Sequence, residues 1–431
     1  MQISNGVKEL IKKIIPSFLI NFYHFSLAFS AALIYRFPSK KLKIIGITGT
    51  NGKSTVVEMV SKILEEADYK VAVLSSIKFK IKDKEWQNTL RMTMPGRFIL
   101  QKFLRQAVNS QCQYAVLEVT SEGIKQYRHK FIDFEVAVLT NLSPEHIEAH
   151  GSFEKYRQAK RELFLATKGI HIINLDDENA GYFLKFPAKH KFGFTISDRH
   201  PIGQELFSTI TARNIKVLAS GLKFYIDDTE FNLKLLAKFN VYNSLAAVCI
   251  GLSQGISLEI CKSALEKIKG VPGRMEMVIS QPFKVFVDYA FTPNALQKVY
   301  ETLSKSKVKS QKSKVICVLG SCGGGRDKWK RPVLGKLAAK YCQEVIVTNE
   351  DPYDEDPMEI IAEVAKGTEG KAKKILDRRE AIREAISLAK TKDIIIITGK
   401  GCEPSICLAG GKKIPWDDRK VAKEEFEKLF K

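Results

Sequence analysis

Short runs of consecutive apolar residues alternate with segments of helical spacing from residue 42 onward. The runs are continuous, which is typical of strands buried on both faces of a parallel sheet. Between them, apolar residues recur three and four positions apart, as in the segment 54–66, which predicts helices packed on that sheet. The predicted strands of this first set are residues 42–48, 71–74, 114–119, 136–139 and 170–174.

A second alternating set follows residue 270. The segment 270–273, which contains Pro272, predicts a linker, and the stretch around 195–235 shows a less regular pattern. Further predicted helices are residues 241–252 and 258–268 before the linker, and 293–304, 330–341, 357–366 and 378–390 after it. The further predicted strands are residues 285–288, 315–319, 344–347 and 394–398. Strands alternating with helices in two successive sets predict two α/β domains.

The N-terminal residues carry a different pattern. Residues 14–35 contain no Asp, Glu, Lys or Arg, and their length is close to the roughly 20 residues that a spanning helix needs. Pro16, His24 and several serines dilute the apolar character, while basic residues flank the run. Three alternatives stay open: a helix at a membrane surface, with peripheral contact through residues 8–43, a helix docked on the protein's own core, and a membrane anchor.

Composition adds a strong positive charge. The 431 residues carry a formal net charge of +21, which favours anionic partners, although much of the lysine excess is expected on solvated helix faces. Nucleic acid is not an expected partner, because the sequence has no helix-turn-helix, zinc or base-stacking motif. The eight cysteines are scattered without a C-x-x-C pair, so we expect a reducing compartment, the cytoplasm.

One loop between a predicted strand and a predicted helix has the sequence of a phosphate-binding site. Its glycines let the backbone close around phosphates, N–H groups point at them from a helix N-terminus, and a lysine neutralises their charge. The strict spacing is broken, because Ile47 stands where the first glycine is usual. The alternative is an ordinary strand–turn–helix with a surface lysine. The loop consists of Gly49, Thr50, Asn51, Gly52, Lys53 and Ser54.

Three more side chains accompany this loop. Glu118 ends a predicted strand, and ligands bind outside the carboxyl ends of strands in open parallel sheets, where a carboxylate suits Mg²⁺. His146 follows another strand end. Taken alone, His146 is more often an ordinary surface or helix-capping residue, and Lys160 would be interpreted as a solvated helix residue.

Nine sequence blocks occur in the order found in Mur ligases, over about residues 42–425. The chain is most similar to the MurE type, which adds the third amino acid to UDP-N-acetylmuramoyl-L-Ala-D-Glu. The blocks are residues 48–54, 118–121, 140–143 with His146, 150–151, Tyr156 with 159–160, 239–243, 273–276, 288–290 with 292–293, and 323–324 with 326–328 and 330–332. The resemblance implies an ATP-dependent ligase of peptidoglycan synthesis that joins a carboxylate to an amine through an acyl phosphate.

The resemblance also implies roles for individual residues. Lys53 and the backbone of residues 49–54 would hold the ATP phosphates. Glu118 and His146 would bind Mg²⁺, with the hydroxyls of Ser54 or Thr55 nearby. Lys160 would be the lysine that this family carbamylates to hold a second Mg²⁺. The expected catalytic residues are Lys53, Glu118, His146 and Lys160.

Further positions match those that hold nucleotide and substrates in the family. Asn240 would lie at the adenine, and Arg274 and Asp288 would reach the nucleotide from the linker and the second domain. The expected ligands of the acceptor, a muramyl-peptide precursor, are Thr93, Ser121 and Arg128. Those of the incoming amino acid are Arg326, Gly399 and Glu403, with Asp351 and Tyr353 beside them.

The expected fold is therefore α/β in three parts. Residues 1–41 would be an apolar and basic helical segment. Residues 42–269 would form a central ATP-binding domain with a P-loop-type, mostly parallel sheet, and residues 270–431 a smaller Rossmann-like α/β domain. We expect a monomer.

Four departures from the family concern the substrates. The family's N-terminal UDP-binding domain is reduced to residues 1–41, which leaves both a UDP-linked and a lipid-linked acceptor open. Residues 350–353 read Glu-Asp-Pro-Tyr where diaminopimelate-adding members have Asp-Asn-Pro-Arg, and loss of that guanidinium removes a bidentate partner for a carboxylate. Third, Phe291 replaces a histidine, and fourth, Cys402 and Glu122 each replace a histidine in the blocks around them. We therefore expect lysine, or another amino acid with a neutral or cationic end, instead of meso-diaminopimelate.

Other protein classes share parts of this pattern. A MurT-like subunit that amidates a lipid-linked muramyl peptide often carries a zinc-binding cysteine cluster, and the scattered cysteines disfavour it. A folylpolyglutamate-synthase-like ligase is disfavoured by residues 326–328 and 399–403. A non-catalytic nucleotide-binding scaffold is disfavoured by the intact set of Lys53, Glu118, His146 and Lys160.

Overall fold

The computed structural model describes residues 16–90, 92–145, 147–197, 208–305 and 313–430. Within these ranges the strands form an eleven-stranded sheet, a six-stranded sheet and a two-stranded ribbon. Helices lie on both faces of each large sheet, because two separate apolar clusters pack against each one. The predicted α/β class is confirmed.

Strand β1 (Lys43–Thr48) lies inside the eleven-stranded sheet between β5 (Tyr114–Glu118) and β6 (Phe134–Leu139), parallel to both. Ile47 pairs with Glu118 on one side and with Val138 on the other. The three strands therefore end side by side, and the residues that follow them meet at one edge. The other strands are β2 (Val71–Leu74), β3 (Lys78–Ile81), β4 (Lys84–Gln87), β7 (Ile170–Asn174), β8 (His190–Thr195), β9 (Ser208–Leu218), β10 (Gly221–Ile226) and β11 (Thr229–Leu233).

The stretch around 195–235 is more regular than its sequence pattern indicated. Strands β9, β10 and β11 form an antiparallel extension at one end of the sheet. Most of β9 is exposed, so few of its positions need an apolar residue. Strand β4, at the other end, is exposed along its whole length and was not predicted for the same reason.

The first helices in chain order are α1 (Ser17–Ile34), α2 (Lys53–Glu66), α3 (Arg97–Asn109), α4 (Ser121–Lys125), α5 (Ile147–His150), α6 (Phe153–Ala166), α7 (Ala180–Leu184), α8 (Phe239–Ser253) and α9 (Leu258–Glu266). Helices α2 and α8 pack together on the face of the sheet that Ile45 and Ile47 occupy. Helices α3 and α6 cover the opposite face, which Ile44 occupies. The strand residues are thus buried from both sides, as their continuous apolar runs predicted.

Helix α1 docks on the protein's own core along one side. Ala28, Ala31 and Ala32 are buried there, and the small side chains allow a close approach to α3. Arg105 of α3 donates from Nη2 to the Tyr35 carbonyl at 2.7 Å and satisfies a group left unpaired at the helix end. No helix in the described ranges is long and apolar enough to cross a membrane. The structure thus shows α1 docked on the protein's own core.

The C-terminal sheet has the order β12-β13-β17-β14-β15-β16, with only β12 antiparallel to its neighbour. Its strands are β12 (Glu276–Ile279), β13 (Lys284–Asp288), β14 (Val315–Leu319), β15 (Glu344–Thr348), β16 (Ala372–Ile375) and β17 (Ile394–Thr398), and the ribbon pairs β18 (Ser405–Cys407) with β19 (Lys413–Pro415). The remaining helices are α10 (Pro293–Lys305), α11 (Lys330–Tyr341), α12 (Pro357–Lys366), α13 (Arg378–Leu388) and α14 (Asp418–Phe430).

The two sheet regions contact each other close to the phosphate-binding loop. Lys330 Nζ lies 2.7 Å from Glu145 Oε1, and both side chains are buried. Beside this pair, the Glu148 N–H donates to Asp327 Oδ1 at 2.9 Å, and Glu148 Oε1 accepts from the Lys328 N–H at 2.8 Å. The C-terminal sheet region is therefore held over the carboxyl edge of the central sheet.

Candidate active site

The loop between β1 and α2 can close only because of its glycines. Gly49 and Gly52 have φ angles of 149° and 85°, which side-chain-bearing residues rarely adopt. A Cβ at Gly49 would collide with Thr140 Oγ1, and one at Gly52 with Asn243 Oδ1. Asn141, after β6, holds the loop from the side, because its Oδ1 accepts from the Asn51 N–H at 3.0 Å. The loop thus forms the cradle expected from the motif, and its contact with the ATP phosphates stays a prediction.

Lys53 folds back over the loop that precedes it. Its Nζ donates to the carbonyls of Gly49 at 3.1 Å and Thr50 at 3.0 Å, and it lies 4.0 Å from Glu118 Oε1. Burial lowers the pKa of Lys53, while Glu118 opposes the shift. The ammonium group therefore lies at the mouth of the cradle, where phosphate oxygens would replace its contacts to backbone carbonyls. It does not belong to the hydrophobic core.

Glu118 gathers hydroxyl groups at the end of β5. Its Oε2 accepts from Ser54 Oγ at 3.0 Å and from the Ser76 N–H at 2.9 Å, and the two serine hydroxyls are 2.8 Å apart. A carboxylate with hydroxyl oxygens is a donor set that suits Mg²⁺. Sequence reasoning missed Ser76, although it follows the carboxyl end of β2 in the same sheet. Thr55 is buried at the start of α2.

His146 lies outside the described residues, so its expected role as an Mg²⁺ ligand stays a prediction. Among the residues that the structure does describe, no group of three or more His, Cys, Asp or Glu side chains gathers as a metal site. Among the described residues, Glu118 and the hydroxyl of Ser54 are the groups placed to bind a magnesium ion.

Lys160 is buried beside the loop, with a side chain that points inward from α6. The residue is 1% exposed, and its Nζ donates to the Gly49 carbonyl at 2.9 Å. The ring of Tyr156 lies 4.7 Å away. Burial, followed by the charge of Lys53, holds the pKa of Lys160 well below its ordinary value. The interpretation of Lys160 as a solvated helix residue is wrong, and its burial favours the neutral amine.

The linker brings a guanidinium group to the loop. Arg274 Nη2 lies 3.4 Å from Ser54 Oγ, and its guanidinium carbon lies 4.4 Å from the centre of the Tyr289 ring. Asp288 fixes the turn before β12, because its two oxygens accept from the N–H groups of Met275 at 2.6 Å and Ala290 at 2.7 Å. The structure thus brings Arg274 to the phosphate loop. Asp288 binds backbone N–H groups and so holds the turn next to Arg274 in place.

Asn240 lies at the start of α8, next to the same loop. Its Nδ2 donates to the Leu236 carbonyl at 2.6 Å, and its Oδ1 accepts from Asn243 Nδ2 at 2.8 Å. Asn243 in turn faces Gly52. Asn240 is therefore close to the cradle and supports it through Asn243, and its contact with adenine stays a prediction.

The predicted acceptor residues lie around α4. Ser121 Oγ is 3.1 Å from His150 Nε2, and Arg128 binds the Met94 carbonyl, immediately after Thr93. Arg128 Nη2 also donates to Gln126 Oε1 at 2.7 Å. The segment with Thr93 and Met94 packs against α4, since a Cβ at Gly123 would meet the Met94 sulfur. The three predicted acceptor residues thus lie in or beside one helix, α4: Thr93, Ser121 and Arg128.

A buried ion pair organises the predicted amino-acid site. Lys400, which sequence reasoning missed, places its Nζ 3.0 and 2.9 Å from the two oxygens of Asp351 and also binds Glu403. Asp351 Oδ1 further accepts from the Cys407 N–H at 2.8 Å. The carboxylate of Asp351 is therefore engaged by the protein. A lysine between glycines directly after β17 was the signal that could have revealed it.

Glu350 differs from the other acidic residues of this segment. Its Oε1 accepts from Cys322 Sγ at 2.8 Å, while its Oε2 is buried and has no hydrogen-bond partner among the described residues. Burial raises the pKa of Glu350. A Cβ at Gly399 would collide with that oxygen, so the glycine leaves room for the Glu350 carboxylate. Arg326 is exposed, and the Tyr353 ring packs against Gly324.

Comparisons with known proteins agree with this geometry. Residues 47–251 match the Mur ligase middle domain, and residues 273–401 match the Mur ligase, glutamate ligase domain. The UDP-N-acetylmuramoyl-L-alanyl-D-glutamate–2,6-diaminopimelate ligase of Syntrophomonas wolfei is 38% identical over 93% of this chain and 81% of its own length. The UDP-N-acetylmuramyl-tripeptide synthetase of a Roseiflexus species is 34% identical over 96% of this chain and 84% of its own length.

A solved structure of a UDP-N-acetylmuramoyl-L-alanyl-D-glutamate–2,6-diaminopimelate ligase superposes with a TM-score of 0.59 at 30% identity, over 90% of this chain and 79% of that one. The fold and the phosphate-loop site together define an ATP-dependent ligase that forms amide bonds. The chain belongs to the Mur ligase family, as its sequence blocks predicted.

Proposed function

We propose that this protein adds an amino acid to a muramyl-peptide acceptor in peptidoglycan synthesis, at the expense of ATP. The observation that carries the proposal is the convergence of Lys53, Glu118 and Lys160 on one glycine cradle, with Arg274 reaching in from the linker. The named relatives act on muramyl peptides, and the sequence blocks of the acceptor and amino-acid sites are those of this family.

The reaction follows from the charges around the loop. The acceptor carboxylate attacks the γ-phosphorus of ATP, which gives an acyl phosphate and ADP. The amine of the amino acid then attacks the acyl carbon, and phosphate leaves. With ATP bound, Lys53 and the loop N–H groups would stabilise the oxygens on which negative charge is redistributed during phosphoryl transfer. A bound Mg²⁺, held by Glu118 with Ser54 and by His146, would neutralise further phosphate charge.

Lys160 is suited to carbamate formation. A neutral lysine amine adds CO₂ and releases a proton, which leaves a negatively charged group with two oxygens. The buried position next to Lys53, with its lowered pKa, favours the neutral amine that this addition needs. The resulting oxygens would make Lys160 a second magnesium ligand at the cradle.

The decisive experiment measures phosphate release by the purified protein with a matrix of acceptors and amines. The acceptors are UDP-linked and lipid-linked muramyl dipeptides, and the amines are lysine, diaminopimelate, other amino acids and ammonia. Release that requires both a muramyl acceptor and an amino acid supports the proposal. Release with ammonia alone as the amine would identify an amidating ligase, and use of a folate in place of the muramyl acceptor would identify the folylpolyglutamate class.

Glu118→Gln is expected to raise the Mg²⁺ concentration needed for half-maximal activity by about tenfold or more, because a neutral amide is a poorer ligand for a hard cation. Titration of phosphate release with MgCl₂ measures the shift. Glu135→Gln, at an exposed position of strand β6 in the same sheet, is the matched control and should behave like the wild type. An unchanged Mg²⁺ dependence in a folded Glu118→Gln protein would refute the ligand role.

Lysine is expected to be a better substrate than meso-diaminopimelate. Tyr353 offers no guanidinium for a second carboxylate, whereas the free oxygen of Glu350 can bind a cationic end. Competition assays that compare kcat/KM for the two amino acids decide this point. A higher value for diaminopimelate, the amino acid named for the Syntrophomonas relative, would overturn the prediction.

Glu350→Gln tests the same prediction from the protein side. It should lower the preference for lysine by about tenfold, the effect of losing one charge-assisted hydrogen bond, while the KM for ATP stays unchanged. Asp354→Asn is the control, because Asp354 is an exposed member of the same acidic run. Asp351→Asn is less informative, since it also disrupts the buried pair with Lys400. Equal loss of preference in the Glu350 and Asp354 variants would contradict a specific role for Glu350.

A further inference from the structure

Helix α1 presents an unusual concentration of apolar surface to solvent. Of the 24 large hydrophobic residues that are exposed in the described ranges, eight belong to this one helix. Phe18 and Phe22 are the most exposed, at 67% and 68%. Elsewhere such residues are scattered, which is ordinary for a protein surface, whereas a contiguous patch marks a binding face.

The exposed residues form a stripe along the helix. Phe18, Phe22, Phe25, Phe29 and Leu33 follow one another at intervals of three or four positions, which places them on one side. An adjacent side is fixed to the protein through the buried residues Ala28, Ala31 and Ala32, and the rings of Phe25 and Phe29 also contact the Phe131 ring. The helix therefore cannot turn its apolar side inward without losing its contacts with α3.

Acidic residues are scarce around the stripe. No Asp or Glu occurs from residue 10 to residue 57, and helix α3, on which α1 rests, contains none either. Arg36, Lys40 and Lys41 are exposed directly after α1, and the exposed Glu122, whose charge acts on His24, adds one negative charge beside the helix. An apolar helix face bordered mainly by cations matches a membrane surface with anionic headgroups, which attracts the basic residues while the aromatic rings enter the interface.

The stripe also lies close to the predicted acceptor residues. Arg97, at the start of α3, places Nη2 2.6 Å from His24 Nδ1 of α1 and also binds the Gln126 carbonyl. Gln126 in turn accepts from Arg128. Two further exposed apolar residues, Phe98 and Ile99, follow Arg97. A surface that contacts α1 would therefore lie next to the acceptor end of the site. The assignment of that end to the acceptor rests on the proposed function.

We propose that the exposed face of helix α1 docks this protein on an anionic membrane surface, with the aromatic stripe in the interface and the flanking cations on the headgroups. The helix lies along the surface, since its other side is packed on α3. Docking of this kind depends on both apolar burial and charge, so removing either contribution weakens it.

The test is co-sedimentation of the full-length protein with vesicles of phosphatidylcholine, alone or mixed with phosphatidylglycerol. The wild type is expected to bind the mixed vesicles and to bind them less at high salt. Phe18→Ser/Phe22→Ser should lower the partition coefficient about tenfold or more, because two large apolar side chains no longer enter the interface. Lys40→Gln/Lys41→Gln should weaken binding to the mixed vesicles only.

The matched control is Val217→Ser/Leu218→Ser, which removes two exposed apolar side chains from β9 and should leave vesicle binding unchanged. The Phe18→Ser/Phe22→Ser protein should keep its melting temperature and its ATP turnover with a water-soluble acceptor, which shows that it is folded. The binding assay contains no substrate, so its result does not depend on the proposed function.

Three results would overturn the proposal. The first is failure of the wild type to bind the mixed vesicles, and the second is binding of the Phe18→Ser/Phe22→Ser variant as strong as that of the wild type. The third is self-association without lipid that the same variant abolishes, since the stripe would then be an interface between two copies of this chain. Sedimentation velocity on the protein alone detects that outcome.

Discussion

Lys53→Ala is expected to lower ATP turnover by about 10²–10³-fold, the usual cost of removing one preorganised group that stabilises developing negative charge. The ammonium group lies at the mouth of the glycine cradle and contacts only loop carbonyls and, at 4.0 Å, Glu118. Its loss removes charge compensation for the phosphates. Phosphate release at saturating acceptor and amino acid is the measurement.

The fold should survive this substitution. The carbonyl of Gly49 keeps its hydrogen bond from Lys160, and no apolar contact of the core is removed. The melting temperature is therefore expected to stay close to that of the wild type. Lys62→Ala, at a partly exposed position of the same helix, controls for the loss of a lysine from α2. Phosphate release near the wild-type rate by a folded Lys53→Ala protein would exclude the ligase mechanism proposed for this site.

Lys160→Ala is expected to lower activity by about a hundredfold or more, because the group that would carry the carbamate is lost from the centre of the site. Small carboxylates such as acetate or formate should restore part of the activity. They can occupy the space of the missing side chain, and their oxygens can replace those of the carbamate. A purely structural role for Lys160 predicts no such rescue. Lys155→Ala, an exposed lysine on α6, should retain full activity.

The modification itself can be observed directly. Carbon-13 NMR with labelled bicarbonate should show a carbamate resonance in the wild type that is missing from Lys160→Ala. Removal of CO₂ from the buffers should lower wild-type activity, and bicarbonate should restore it. A fully active enzyme whose Lys160 carries an unmodified amine in a crystal structure would contradict the carbamate.

The parallel strands at the centre of the first sheet were predictable from the sequence, and the exposed strands were not. Strands β1, β5 and β6 are apolar throughout because both faces are covered, so their runs and the loop after β1 could be recognised. Strands β4 and β9 are mostly exposed, and little in their sequence distinguishes them from loops. Their conformation depends on pairing with neighbouring strands, and the local pattern of apolar and polar residues gives no information about that pairing.

The same distinction applies to the site. The glycine cradle and Glu118 were predictable, because one is a contiguous motif and the other ends a strand next to it. Ser76 and Lys400 were missed, because their partners Glu118 and Asp351 are distant in sequence and the fold alone brings them together. The burial of Lys160 likewise follows from packing of α6 against β1, and a lysine in isolation predicts the opposite.

The ion pair between Lys330 and Glu145 has a consequence for the rate of product release. Both charges are buried where the C-terminal sheet region meets the central one, and separation returns them to water. The hydration that they regain offsets most of the attraction that they lose. The pair therefore sets where the two regions meet without making their separation slow. This suits an enzyme that must open after every cycle to discharge nucleotide, phosphate and peptide.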